Sequence, residues 1–173
     1  MEPHRVGAPL YIADANVLID FLNADLKVLG LVSEFIGPVL VLRVILRDEV
    51  DGLTLAGCAK AGLQVVDSSV ETLVLAAKHE STGRLLSFYD WLVLLEAKER
   101  GGACLTNDGA LIKACRSHGI DAVRGLAPLL QLVSLGKLRK KEALELVEKM
   151  AAKNSYLRKV VPEFVEKLGA LTK

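Results

Sequence analysis

An α/β fold built on a parallel sheet is predicted by two features of this chain. Five short apolar runs, Leu10 to Ala13, Pro38 to Leu42, Leu63 to Val66, Ala103 to Thr106 and Ile120 to Val123, each end at a turn signal or a polar residue, and segments of helical spacing lie between them. Strands buried on both faces read as continuous apolar runs, and strand alternating with helix is the order of a parallel sheet covered on both sides.

The connecting segments carry apolar residues at helical intervals. They are Val17-Leu18-Phe21-Leu22, then Leu26, Leu29 and Val32 with Phe35-Ile36 following, then Val70, Leu73, Val74 and Ala77, then Trp91, Leu92, Leu94 and Leu95, and finally Leu111, Ile112 and Cys115. Gly62, Gly101-Gly102 and Gly119 stand just before predicted strands, where left-handed caps commonly end helices. After Gly136 no strand pattern recurs. Lys137 to Lys153 and Tyr156 to Leu168 read as charged helices with apolar stripes, broken at Asn154-Ser155, with Pro162 in the first turns of the second helix or kinking it. The predicted organisation is an α/β domain over residues 1–135 and a helical hairpin over 136–173, packed on that body or on a partner subunit.

With 173 residues, 51% of them hydrophobic, the chain can bury a full core, which excludes intrinsic disorder. Charge or turn residues interrupt every apolar stretch before the roughly 18 residues a membrane span needs. Asp14 and Asp20 break the only segment resembling a secretory leader, so the expected location is cytoplasmic. Cys58, Cys104 and Cys115 are odd in number and lack paired spacing, which predicts buried free thiols. His4, His79 and His118 lack zinc-ligand spacing and are expected at the surface. Residues 136–173 carry a net charge of +5 and the remainder −4, so an acidic body bears a basic tail. That separation suits a phosphate-bearing substrate, and equally a solvated pair of surface helices.

Two predicted strands run into acids, Asp14 after Leu10-Tyr11-Ile12-Ala13 and Asp108 after Thr106-Asn107. Ligands of open α/β sheets collect outside the carboxyl ends of strands. Asp90 lies on a strongly apolar helical segment, and Glu49 sits in the charged run Arg47-Asp48-Glu49-Val50-Asp51. Four carboxylates without obvious cationic partners suit one or two Mg²⁺ or Mn²⁺ ions, which prefer oxygen ligands. Simpler roles fit the same residues: Asp14 and Asp108 as helix N-caps, and Asp90 closing a capping box with Ser87.

The set Ile12-Ala13-Asp14-Ala15-Asn16, Glu49, Ser87-Phe88-Tyr89-Asp90 and Leu105-Thr106-Asn107-Asp108 resembles the PIN domain family in order and spacing, over residues 9–130. The resemblance implies a three-layer α/β/α fold with about five parallel strands in 3-2-1-4-5 order. It further implies a metal-dependent ribonuclease in which Asp14, Glu49, Asp90 and Asp108 are the acidic residues. Asp14, Asp90 and Asp108 are then the expected ligands, and Glu49 a ligand or a water-orienting base. Asn16 would position Asp14 or a water, while Thr106 and Asn107 would hold the loop or meet phosphate. Lys113 and Arg116, on the helix after Asp108, are candidates for contact with the RNA backbone, or members of a solvated face.

Many PIN proteins are VapC-type toxins, so a cognate antitoxin is an expected partner, and a homodimer is expected from both the family and the apolar stripes. The basic extension after residue 136 departs from a minimal toxin and resembles PIN-like proteins described only as nucleic-acid-binding. The alternative is accordingly a non-catalytic nucleic-acid-binding or partner-binding module. Phosphotransfer folds match less well, since a receiver opens with adjacent acids and a haloacid-dehalogenase-type phosphatase needs Asp-x-Asp, where this chain has Ala15 and Asn16.

Overall fold

The structure, a computed structural model, describes residues 8–83 and 85–171. His4 lies outside the described residues. Five strands form one parallel sheet: β1 (Tyr11–Ala13), β2 (Val39–Leu42), β3 (Gln64–Val66), β4 (Ala103–Leu105) and β5 (Ala122–Val123). Their order is β3-β2-β1-β4-β5, as expected. Each falls within its apolar run and loses only a residue or two at the ends.

Ten helices are found among the described residues: α1 (Ala15–Ala24), α2 (Leu26–Phe35), α3 (Arg43–Asp48), α4 (Leu55–Ala61), α5 (Val70–Thr82), α6 (Phe88–Arg100), α7 (Gly109–Ser117), α8 (Ala127–Ser134), α9 (Lys140–Lys153) and α10 (Ser155–Ala170). The chain steps outward from β1 to β3 and then returns to β4 on the other side of β1. Right-handed crossovers therefore place the helices of the two halves on opposite faces of the sheet. α6 lies against β1 and β4 with α5 packed on it, and α2 lies against β2. β1, at the centre, is wholly buried.

Local chemistry explains the punctuation. Ser69, Thr54, Ser87 and Asp108 cap α5, α4, α6 and α7 by accepting hydrogen bonds from amides in the first turn. Gly62 and Gly101 end α4 and α6 in the left-handed region, at φ of 82° and 64°. α4 and α8 lack a long apolar period and were not anticipated from spacing; α8 is opened by Pro128 near its N-terminus. Cys58, Cys104 and Cys115 are free and buried, as expected. His118 is exposed, as expected, and meets the Trp91 ring edge-on, whereas His79 is half-buried and stacks on the same ring with centroids 4.3 Å apart.

The hairpin packs on the α/β body. α9 runs along α1 and α10 returns along α9, with Leu146, Val147, Met150, Leu157 and Phe164 joining the apolar cluster that contains the sheet. Asn154 marks the break, accepting hydrogen bonds from the Tyr156 and Leu157 amides. Pro162 stands inside α10, beyond its first turn. No described helix is long and apolar enough to cross a membrane.

α2 and α4 approach closely at Gly30, where an added Cβ would stand 1.7 Å from the Ala61 carbonyl oxygen. Backbone cannot yield as a side chain can. Gly30→Ala is therefore expected to destabilise the protein by about 1–3 kcal/mol, read as a lower urea midpoint; an unchanged midpoint would show that the two helices separate freely.

Candidate functional site

The site follows from strand register. Ala13 of β1 pairs with Leu105 of β4, and the Asp14 amide donates to the Leu105 carbonyl at 3.0 Å. The first residues past the two strand ends, Asp14 and Thr106, are thereby brought side by side. Thr106 Oγ1 donates to Asp14 Oδ2 at 2.7 Å and accepts from the Asp108 amide at 3.0 Å. This crevice lies where the chain reverses its direction across the sheet, the usual ligand position in such folds.

Asp14 is 4% exposed and occupies the N-cap position of α1 without a side-chain capping bond. Burial raises its pKa to about 6, opposed first by the Thr106 hydroxyl, while the charges of Asp90 and Asp108 push it further upward. Asp90 and Asp108 thus belong to its electrostatic surroundings. Among the described residues, none of these three acids forms an ion pair with a Lys or Arg.

Asp90 and Asp108 also fulfil their simpler roles. Asp90 Oδ2 accepts from the Ser87 amide and hydroxyl, both at 2.8 Å, completing a capping box on α6. Asp108 Oδ1 accepts from the Leu111 amide at 2.7 Å at the head of α7. Each commits one oxygen to its helix, and the other lies outside those bonds. The N-termini of α1, α6 and α7 carry these acids, so the positive ends of three helix dipoles favour the carboxylate charge.

Glu49 stands one step out. It is exposed at the end of α3, and its charge acts on Tyr89, the neighbour of Asp90, rather than on Asp14. Asp48, beside it, accepts from the Tyr89 hydroxyl at 3.2 Å and is paired with Arg47. Asn16 is exposed on the first turn of α1 and makes no recorded bond to Asp14 among the described residues. Lys113 and Arg116 are both exposed on α7. Arg116, eight residues after the cap, stands about 12 Å along the helix from Asp108, at the end of α7 away from the acids.

Asn107 turns inward. Its amide nitrogen donates to Asp20 Oδ2 at 3.3 Å, and its oxygen accepts from the Gly125 amide at 3.0 Å. Asn154 donates to the other Asp20 oxygen at 2.9 Å. Asp20 is 5% exposed; burial raises its pKa, opposed by the two asparagine amides. One buried carboxylate thus ties the loop after β4 to α1 and to the break between α9 and α10. Sequence reading did not select Asp20 as a site residue. Its signal was position, an acid on the same helical stripe as Val17, Leu18 and Phe21.

Among the described residues, no three His, Cys, Asp or Glu side chains gather closely enough to grip a metal as they are arranged. The donor chemistry nonetheless suits Mg²⁺ or Mn²⁺, which often takes one or two carboxylates and keeps several waters. Asp14 with Asp90 or Asp108 supplies oxygen donors and uncompensated negative charge, as such an ion requires. No protein-family model matches the chain, and no curated protein matches it.

Two expectations follow from these bonds. Folding lifts the Asp14 carboxyl from 3.8 to about 6. At about 1.36 kcal/mol per unit, ionised Asp14 opposes folding by roughly 3 kcal/mol above pH 6, an effect absent below the unfolded-state value. In EDTA, Asp14→Asn should therefore stabilise the fold at pH 8 by up to that amount, with the gain fading towards pH 4; a pH-independent difference in urea unfolding would contradict the assignment. Asn107→Ala removes partners from both Asp20 and the Gly125 amide and should cost about 1–3 kcal/mol, measured by the same unfolding experiment.

Proposed function

We propose that the protein is a divalent-metal-dependent endoribonuclease of the PIN type, hydrolysing RNA phosphodiester bonds. The observation that carries this reading is Asp14, a buried carboxylate without an ion-pair partner among the described residues, in the field of Asp90 and Asp108 at the carboxyl edge of a parallel sheet. Burying a charge is costly unless it is paired or coordinates a metal. Structural packing alone gives no reason for an acid here.

On this reading Asp14 with Asp90 or Asp108 would hold a largely hydrated Mg²⁺ or Mn²⁺, the third acid would add negative charge beside it, and Glu49 at the rim would orient water. When bound, such an ion lowers the pKa of a water and offsets the charge that develops on a phosphoryl group. The chain itself supplies positioning. Thr106 fixes the Asp14 carboxylate and, through the Asp108 amide, the start of α7. Ser87 orients Asp90. The helix N-termini at the crevice favour a phosphate there as they favour the carboxylates. A toxin role with a cognate antitoxin is the narrower form of the proposal.

A non-cleaving nucleic-acid-binding module is the second reading, favoured by the basic hairpin and by the engagement of Asp90 and Asp108 in their own helix caps. Incubation with fluorescent single-stranded and structured RNAs in Mg²⁺, Mn²⁺ or EDTA separates the two. Metal-dependent cutting is expected from the wild type. Asp14→Asn and Asp90→Asn should each lower the rate by at least about 100-fold while remaining folded by circular dichroism. Cutting that survives EDTA, or full activity in either variant, would overturn the proposal; RNA binding without cutting would favour the second reading.

A further inference from the structure

Asn107 in the loop after β4, Arg124 after β5, and residues of α8 and α10 enclose a cleft of about 240 Å³. Its walls are largely apolar, with Leu126, Leu130, Val160 and Phe164 among them. The rim is cationic and aromatic. Arg124 Nη1 donates to the Tyr156 hydroxyl, and Lys167 pairs with Glu163 at 2.5 Å. Two cations thus face one carboxylate, and Tyr156 is 40% exposed.

Placement is as informative as lining. Asn107 forms part of the wall and stands between Thr106 and Asp108, the two residues that organise the acidic site. Arg124 follows directly on β5, so the cleft opens at the same carboxyl edge of the sheet. Its other wall belongs to α10, held in place through Asn154, Asp20 and Asn107.

We infer that this cleft is a nucleobase subsite, taking the unpaired base of a nucleotide next to the one whose phosphodiester lies at the acids. The inference rests on the nuclease reading and names where its substrate is gripped. The cleft is smaller than the roughly 300–1,000 Å³ typical of drug-sized ligands, which matches one planar ring system. An exposed aromatic ring at an apolar mouth offers a stacking surface, and two flanking cations meet the phosphates on either side. Only an unpaired base can enter, so the site selects single-stranded RNA over duplex. The hairpin thereby acquires a role as one wall of a substrate channel.

The test uses the full-length chain in EDTA, where binding is read without cleavage, by fluorescence anisotropy of a labelled single-stranded RNA of twelve nucleotides and of its duplex. Tyr156→Ala is expected to weaken single-strand binding roughly ten- to hundred-fold, Tyr156→Phe to keep it within about three-fold because the ring remains, and duplex binding to stay unchanged in both. Irradiation of the wild type with 4-thiouridine RNA should crosslink a peptide containing Tyr156. Equal binding by Tyr156→Ala and wild type, an equal loss on duplex, or crosslinks confined to other peptides would overturn the inference. If that occurs while the wild type still cuts RNA with Mn²⁺, the subsite is wrong and the nuclease reading stands. A wild type that neither binds nor cuts any RNA removes both.

Discussion

The parallel pairing of β1 with β4 determines nearly everything chemical about this protein. It sets Ala13 opposite Leu105, so that the next residue on each strand, Asp14 and Thr106, meets the other just beyond the hydrogen-bonded ladder. A shift of one residue would turn both side chains to opposite faces of the sheet. The apolar character of the two strands, needed for burial on both faces, thus fixes the position of a polar pair that packing alone would not select. Thr106 then transmits that position to the head of α7 through the Asp108 amide.

A second buried carboxylate performs a different task. Asp14 is held by one hydroxyl and lies in a field of like charge, whereas Asp20 receives amide hydrogens from Asn107 and Asn154 on its two oxygens. The contrast separates an acid left without an ion-pair partner among the described residues from one that fastens elements together. Asn107 and Thr106 are adjacent in sequence and point to these two different acids, so a single turn after β4 serves both the crevice and the scaffold behind it.

The fold was legible because it is written in local periodicity. The five strands fall inside the apolar runs, and glycines such as Gly62 and Gly101 end helices as their placement predicts. α4 and α8 escaped because short helices show too few turns for a period to emerge. Asp14, Asp90 and Asp108 are recognisable from strand tips and from an acid on an apolar helix, and the structure places Asp90 and Asp108 where their charges act on Asp14. Glu49 could not be ranked against Asp48 and Asp51 within a charged run, and the structure sets it at the rim. The bonds of Asp20 could not be foreseen, because its partners Asn107 and Asn154 lie 87 and 134 residues away in the chain. Separation on that scale leaves no trace in a window of helix or strand length.

Asn154 both opens α10 and completes the bonding of Asp20, while α9 covers α1 with Leu146, Val147 and Met150. The hairpin is consequently not a detachable appendage, despite its different charge and composition. A chain shortened before it would leave α1, the helix that begins at Asp14, with an uncovered oily flank and a half-bonded acid in its interior. A unit that keeps α1 covered and both Asp20 oxygens bonded therefore extends at least through α9 and Asn154. Anyone fusing, trimming or grafting this domain has to treat the body and the hairpin as a single part.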